Sequence, residues 1–111
     1  MKIVITAEGP NLESPVDPRF GRATYFLLVD GETGDFTAHD NTQNLNAAQG
    51  AGIQAAQSVV QLGAEAVLTG NVGPKAFATL QAGQVAIYTG ATGTAREALD
   101  QWRANKLQAA G

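Results

Sequence analysis

The stretch Val16-Asp17-Pro18-Arg19-Phe20-Gly21-Arg22-Ala23 holds two of the seven basic residues of this sequence. Pro18 fixes one backbone angle and Gly21 admits conformations closed to other residues, so the loop has a shape of its own. Two guanidiniums in a constrained loop form a place to hold an anion, because their planar forks present several N–H donors together. A solvated surface loop with an Asp17–Arg19 contact is the competing reading of the same eight residues.

Other segments carry weaker chemistry. Gly70-Asn71-Val72-Gly73-Pro74-Lys75 resembles a phosphate loop, but it is two residues short of the Walker spacing. Ala76 stands where Ser or Thr would hold magnesium, and Pro74 removes an N–H from the cradle. A tight strand-to-helix turn is the better default there. Ser14 and Ser58 lack nucleophile-elbow context, and one histidine gives no triad. Glu8, Asp17 and Asp40 approach one edge, whereas Asp30, Glu32 and Asp35 belong to the opposite end, so a two-metal carboxylate centre is not expected. No catalytic residue is expected, and a small enzyme acting on phosphate esters ranks last among the readings. His39 at a strand end reads as a surface residue, or as a soft donor or anion partner at a ligand edge. Trp102 and Phe77 read as core residues of their helices, and Arg96, Asp100 and Arg103 as solvated surface.

Composition bounds the function. The chain has 111 residues, 44% of them hydrophobic, and a formal net charge of −3, which argues against a general nucleic-acid or anionic-membrane binder. It has no cysteine, which excludes disulfides, thiolate zinc sites, thiolate-held iron–sulfur clusters and cysteine nucleophiles. A strand begins at Lys2 and no apolar run is long enough to span a bilayer, so neither a signal peptide nor a membrane segment is expected and a cytoplasmic location is. Thirteen glycines, mostly at turns, mark where backbone can approach a ligand. One domain over 1–111 is expected.

These residues must be positioned by strands and helices that the pattern places in order. Lys2–Thr6, Tyr25–Val29, Phe36–His39, Ala66–Thr69 and Val85–Tyr88 read as five strands. Residues 52–62 read as a helix with Ile53, Ala56, Val60 and Gly63 on one face, Val59 beside them and Gly63 as C-cap. A second helix starts at Pro74, with Ala76, Phe77 and Leu80 inward and Gly83 ending it. Thr94-Ala95-Arg96-Glu97 is a capping box opening a third, with Ala95, Ala98, Leu99 and Trp102 inward. A tight hairpin and two helical crossovers give a mixed α/β sheet of order 3-2-1-4-5, strand 2 antiparallel, with helices on both faces. The loops 7–23, 40–50, 70–74 and 90–94 then share one edge, where open α/β sheets bind ligands. Arg19, Arg22, His39, Gly50, Gly52 and Gly73-Pro74-Lys75 meet there, and helix N-termini add partial positive charge. The protein is acidic, yet this edge is expected to be positive.

Three segments together carry a family resemblance: Asp17-Pro18-Arg19-Phe20-Gly21-Arg22-Ala23 followed by Tyr25-Phe26, Gly50-Ala51-Gly52-Ile53-Gln54-Ala55-Ala56, and Gly70-Asn71-Val72-Gly73-Pro74-Lys75-Ala76-Phe77. The sequence resembles the dinitrogenase iron–molybdenum cofactor biosynthesis family over nearly its whole length. The resemblance implies a ribonuclease-H-like, three-layer α/β/α fold and a cofactor carrier rather than an enzyme. Thr6-Ala7-Glu8-Gly9-Pro10 with Ser14-Pro15-Val16 is similar to the orange proteins within that family. That likeness implies a molybdenum–copper sulfide cluster held without cysteinyl attachment, and deviant-Walker ATPases of the cell-division type as partners. A sulfide-ligated anionic cluster brings its own soft ligands, so the protein need supply only cations, backbone N–H groups and an apolar wall. The expected binding set is Arg19, Phe20, Gly21, Arg22, His39, Gly50, Gly52, Gly73 and Lys75. No direct metal ligand is expected, with His39 as the one candidate, since some nitrogenase cofactor carriers use a histidine. An interaction module that docks such an ATPase at the same edge is the alternative reading.

Overall fold

In the computed structural model, which describes residues 1–41 and 51–110, the sheet is laid down by β1 (Lys2–Ala7), β2 (Tyr25–Asp30), β3 (Phe36–Asp40), β4 (Ala66–Leu68), β5 (Ala86–Thr89) and β6 (Gln108–Ala110). Three helices intervene: α1 (Ala51–Gln61), α2 (Pro74–Ala82) and α3 (Ala95–Arg103). The strand order is β3-β2-β1-β4-β5-β6. β1 pairs antiparallel with β2, Lys2 opposite Asp30 and Ala7 opposite Tyr25, and parallel with β4. β2 and β3 form the antiparallel hairpin, and β5 lies parallel to β4. The first five strands follow the order expected from the hairpin and crossovers. The sixth strand is an addition: Gln108–Ala110 runs antiparallel along the outer side of β5.

β1 is β-branched and buried on both faces, as a central strand between two helical layers must be. Its alternation sorts the core. Ile3, Ile5 and Ala7 join Leu27, Val29, Ala66 and Leu68 under Ala95, Ala98 and Leu99 of α3. Val4 joins Phe26, Val67 and Ile87 under Ala55, Ala56 and Val59 of α1 and Ala76 and Leu80 of α2. Trp102 is half-buried against the first cluster and meets Tyr88 edge to face at 6.3 Å. Phe77 is half-buried against the second.

The buried side of α1 is Ala51, Ala55, Ala56 and Val59, whereas Ile53 and Val60 are only half-buried. The inward face is thus turned toward the small residues, which let the neighbouring segments come close. Gly63 takes the left-handed conformation (φ +80°), with its N–H on Val60 O and the Ala64 N–H on Val59 O, closing α1 in a Schellman motif. At the end of α2 the left-handed step falls on Gln84 (φ +61°), one residue past Gly83.

All parallel strands end at one edge of the sheet, and α1, α2 and α3 begin there. That edge holds the loop from Glu8 to Thr24.

Candidate functional site

The loop is tied down on both sides. On the α3 side, the Val16 N–H donates to Gly93 O (2.8 Å), Ala95 N–H to Ser14 O (2.9 Å) and Arg96 N–H to Leu12 O (2.9 Å). Leu12 and Val16 are buried in the α3-side core, which is why an otherwise polar loop stays down on the sheet. On the other side, Asn71 N–H donates to Pro18 O (2.9 Å) and Phe20 N–H to Asn71 O (3.2 Å), so Arg19 and Asn71 form a parallel bridge extending β4. Between these anchors the Asp17 N–H donates to Thr6 O (3.0 Å). The Thr6 hydroxyl donates to Asp17 O (2.8 Å) and Thr6 Oγ1 lies 2.8 Å from Thr69 Oγ1. Thr6 and Thr69 are fully buried, and this pair fixes the base of the loop.

Two glycine positions set how close the segments come. A Cβ on Gly70 would lie 2.6 Å from both the Cα and the carbonyl oxygen of Pro18. A Cβ on Gly21 would lie 2.9 Å from the Gly52 Cα. The loop therefore rests directly on the end of β4 and on the first turn of α1.

After the bridge the chain makes one 3-10 turn, Phe20–Arg22. Phe20 is 1% exposed and its ring stacks on Phe26 (centroids 5.7 Å apart, 27° between planes). It anchors the turn in the core and presents no face to a ligand. Arg19 and Arg22 flank it and are exposed, the Arg19 side chain at 68%. Asp17 is 4% exposed. Its Oδ1 accepts the Arg19 N–H (3.1 Å) and stands 3.9 Å from Arg19 Nε. The Asp17–Arg19 contact weighed above thus coexists with an outward guanidinium. Asn41, fully buried at the end of β3, braces the following strand through its Nδ2–H to Ala23 O (2.7 Å) and its N–H to Thr24 O (2.9 Å).

The start of α2 lies beside this turn, with Gly52 next to Ala76: a Cβ on Gly52 would meet the Ala76 Cβ at 3.5 Å. Gly73 is the N-cap and no side chain caps this helix. Pro74 has no N–H, so the leading donors are those of Lys75 and Ala76, and the space a Gly73 side chain would occupy is open. Lys75 is exposed. The start of α3 is built otherwise. Thr94 Oγ1 accepts the Glu97 N–H (3.2 Å), and the Thr94 N–H donates to Glu97 Oε1 (2.9 Å), a complete capping box carrying a carboxylate. Glu13 sits on that side too, paired with Arg96. Of the edge, the α1/α2 side exposes Arg19, Arg22 and Lys75 with Asp17 buried beside them, and the α3 side carries Glu97 and the Glu13–Arg96 pair.

The structure therefore brings Arg19, Phe20, Gly21, Arg22, Gly52, Gly73 and Lys75 to one side of one edge. Gly50 lies outside the described residues, as does the rest of 42–50. His39 is held on the edge strand β3 opposite Phe26, its Nε2 2.8 Å from Thr37 Oγ1. Among the described residues no three His, Asp or Glu side chains converge as a metal-ligand set. No helix among them is long and apolar enough to cross a membrane. Surface grooves are found elsewhere, one along Leu28, Phe36 and Thr37 and another between the C-terminal halves of α1 and α2. The expected binding set omits Asp17, Thr6 and Thr69. The Asp-Pro-Arg order, a carboxylate two residues before an N–H it can accept, was the signal for the first.

Comparison with known proteins agrees with this architecture. The family model described as "Dinitrogenase iron-molybdenum cofactor" matches residues 1–105. The apo form of the orange protein from Desulfovibrio gigas superposes with a TM-score of 0.96 at 42% identity, covering 99% of this chain and 92% of that one. A Thermotoga protein provisionally described as NifB superposes at 0.85 with 37% identity, covering 97% and 91%. An uncharacterised protein of Methanocaldococcus jannaschii is 26% identical over 110 residues, 97% of this chain and 90% of its own length. With its family model matched over residues 1–105, the chain belongs to the dinitrogenase iron–molybdenum cofactor family.

Proposed function

We propose that this protein binds and carries a preformed anionic metal–sulfur cluster, of the molybdenum–copper sulfide type, without catalysing a reaction. The cluster is cargo, captured whole. The observation that carries the reading is the cationic surface of one side of the sheet edge: an acidic protein exposes Arg19, Arg22 and Lys75 there, at a helix start with no side-chain cap, while the one acid beside them, Asp17, is buried. Family membership and the similarity to the orange protein support the same class of cargo.

The chemistry of the donors fits such a ligand. A cluster whose metals already carry sulfide needs no imidazole or thiolate from the protein. It needs diffuse positive potential and N–H groups, which Arg19 and Arg22 supply from the turn and Lys75 and Ala76 from the start of α2. Gly73 leaves room for backbone approach, and Gly52, packed between Gly21 and Ala76, lets the turn and the start of α2 come close. Phe20 and Gly21 shape the turn, and His39 stands as an outer partner.

The test is anaerobic titration of the apoprotein with tetrathiomolybdate and then copper, followed by gel filtration. The native protein should carry a stoichiometric charge-transfer chromophore through the column. Arg19→Ala with Arg22→Ala should weaken retention about tenfold to a hundredfold while far-UV circular dichroism is unchanged. Unchanged retention in the double variant would remove the arginine clamp. Colour that separates from native protein, with metal-free co-purification of a deviant-Walker ATPase, would favour the docking alternative.

A further inference from the structure

The buried acid beside the clamp has no place in a simple anion site. A carboxylate 3.9 Å from Arg19 Nε, itself only 4% exposed, subtracts positive potential where an anion would be held. Its structural work, accepting the Arg19 N–H, needs only a neutral oxygen acceptor. The base of the loop is already fixed through Asp17's own backbone, by Thr6. A full negative charge at this position therefore acts on what binds.

We infer that Asp17 determines the specificity of the site, keeping it from filling with ordinary oxyanions. This rests on the cluster-binding reading above. Two anions of equal charge differ in what they lose on leaving water. Phosphate is small and strongly hydrated, so it needs a strong field from its site to offset its desolvation. A sulfide cluster is large, its charge is spread, and its dehydration costs less. It also gains dispersion contacts that a small oxyanion lacks. A site whose cationic field is trimmed by a fixed carboxylate falls below the threshold for the first and stays above it for the second. The carboxylate also occupies the Nε side of Arg19, leaving the terminal Nη atoms as the ligand-facing donors. Among the described residues these Nη atoms hold no hydrogen bond or ion pair.

The experiment compares native protein with Asp17→Asn, which keeps an oxygen acceptor for the Arg19 N–H and loses the charge. Inorganic phosphate is titrated at fixed ionic strength and followed by the amide resonances of residues 17–22. The spectrum of the unliganded variant reports whether the turn is kept. Asp17→Asn should bind phosphate roughly tenfold more tightly than native protein, and adding Arg19→Ala should abolish that gain. If the Asn variant does not fold, Asp17→Ser, with a shorter neutral acceptor, takes its place. Phosphate affinity unchanged by removal of the charge would overturn the inference and leave Asp17 as a loop-fixing residue. Tetrathiomolybdate retention by native protein is measured alongside. Retention without a phosphate gain sinks this inference alone, and a phosphate gain without retention sinks the cluster reading alone. Neither result sinks both.

Discussion

Gly70→Ala tests whether the site is held by the approach of the loop to the end of β4. The new Cβ would lie 2.6 Å from Pro18 Cα and O and 2.9 Å from Pro18 Cβ. Two of those atoms are backbone, so no side-chain rotation relieves the clash and residues 17–20 must lift away. Overpacking of this kind costs about 1–3 kcal/mol. The lift also stretches the Asn71–Pro18 and Phe20–Asn71 hydrogen bonds (2.9 and 3.2 Å), each worth about 1 kcal/mol. With strain in the middle of that range and the two bonds stretched rather than lost, the total is about 3 kcal/mol, below the ordinary stability of a domain, about 5–15 kcal/mol, so the fold should persist. With a urea dependence of about 1.5 kcal/mol per M, the unfolding midpoint should fall by about 2 M. Tetrathiomolybdate retention should fall with it, because Arg19 is displaced from the start of α2. An unchanged midpoint together with full retention would refute the argument that this contact positions the clamp.

Three further outcomes follow from the same geometry. Gly73→Ser places an N-cap hydroxyl over α2; it should raise stability by a few tenths of a kcal/mol while weakening anion retention, and unaffected retention would detach the start of α2 from the site. Thr94→Ala removes the α3 capping box and should cost about 1 kcal/mol in urea unfolding with retention intact; a loss of retention would mean that α3 belongs to the site. The Asp30 carboxylate accepts the N–H groups of Glu32 (2.8 Å) and Thr33 (3.3 Å), first and second in effect, and these hold its carboxyl below the usual 3.8. Its contribution to stability is therefore full above pH 3.8 and lost as pH falls through the lowered value, so thermal melts of native protein and Asp30→Asn should converge on acidification below 3.8, and a constant gap would refute the assignment.

The five strands before β6 were legible because each is a short run of β-branched or aromatic residues between turn signals, and the hairpin and crossovers then leave one order. β6 was not legible. Gln108-Ala109-Ala110 has no β-branched residue and is mostly exposed, so its strand character comes from β5 alone, a neighbour the local pattern does not show. The inward face of α1 is legible at Ala56 and Val59 but not at Ile53 and Val60, for a related reason. Size favours Ile53 and Val60 as core, but close packing against the 3-10 turn and α2 selects Ala51, Ala55 and Ala56. In the site, the basic residues and glycines could be read as a set because loop ends at one sheet edge follow from topology. The burial of Phe20 and the Thr6–Asp17–Thr69 connection could not, since each depends on a side chain's depth rather than its type.

The way the loop is lashed also bears on when cargo can be taken up during the life of the chain. The loop is completed by Gly52 and Asn71 against its turn and by Gly93 against Val16, all far downstream of Arg19. A ribosome-bound chain emerges from its N-terminus, and contacts this distant in sequence form late. The two arginines leave the ribosome early, but the surface that aims them does not exist until the chain has passed Gly93. On the proposed reading, loading is then an event of the finished protein. A partly made or truncated chain exposes the same charges without the means to hold them in place, so the proposed capture of a cluster would be separated in time from synthesis of the chain.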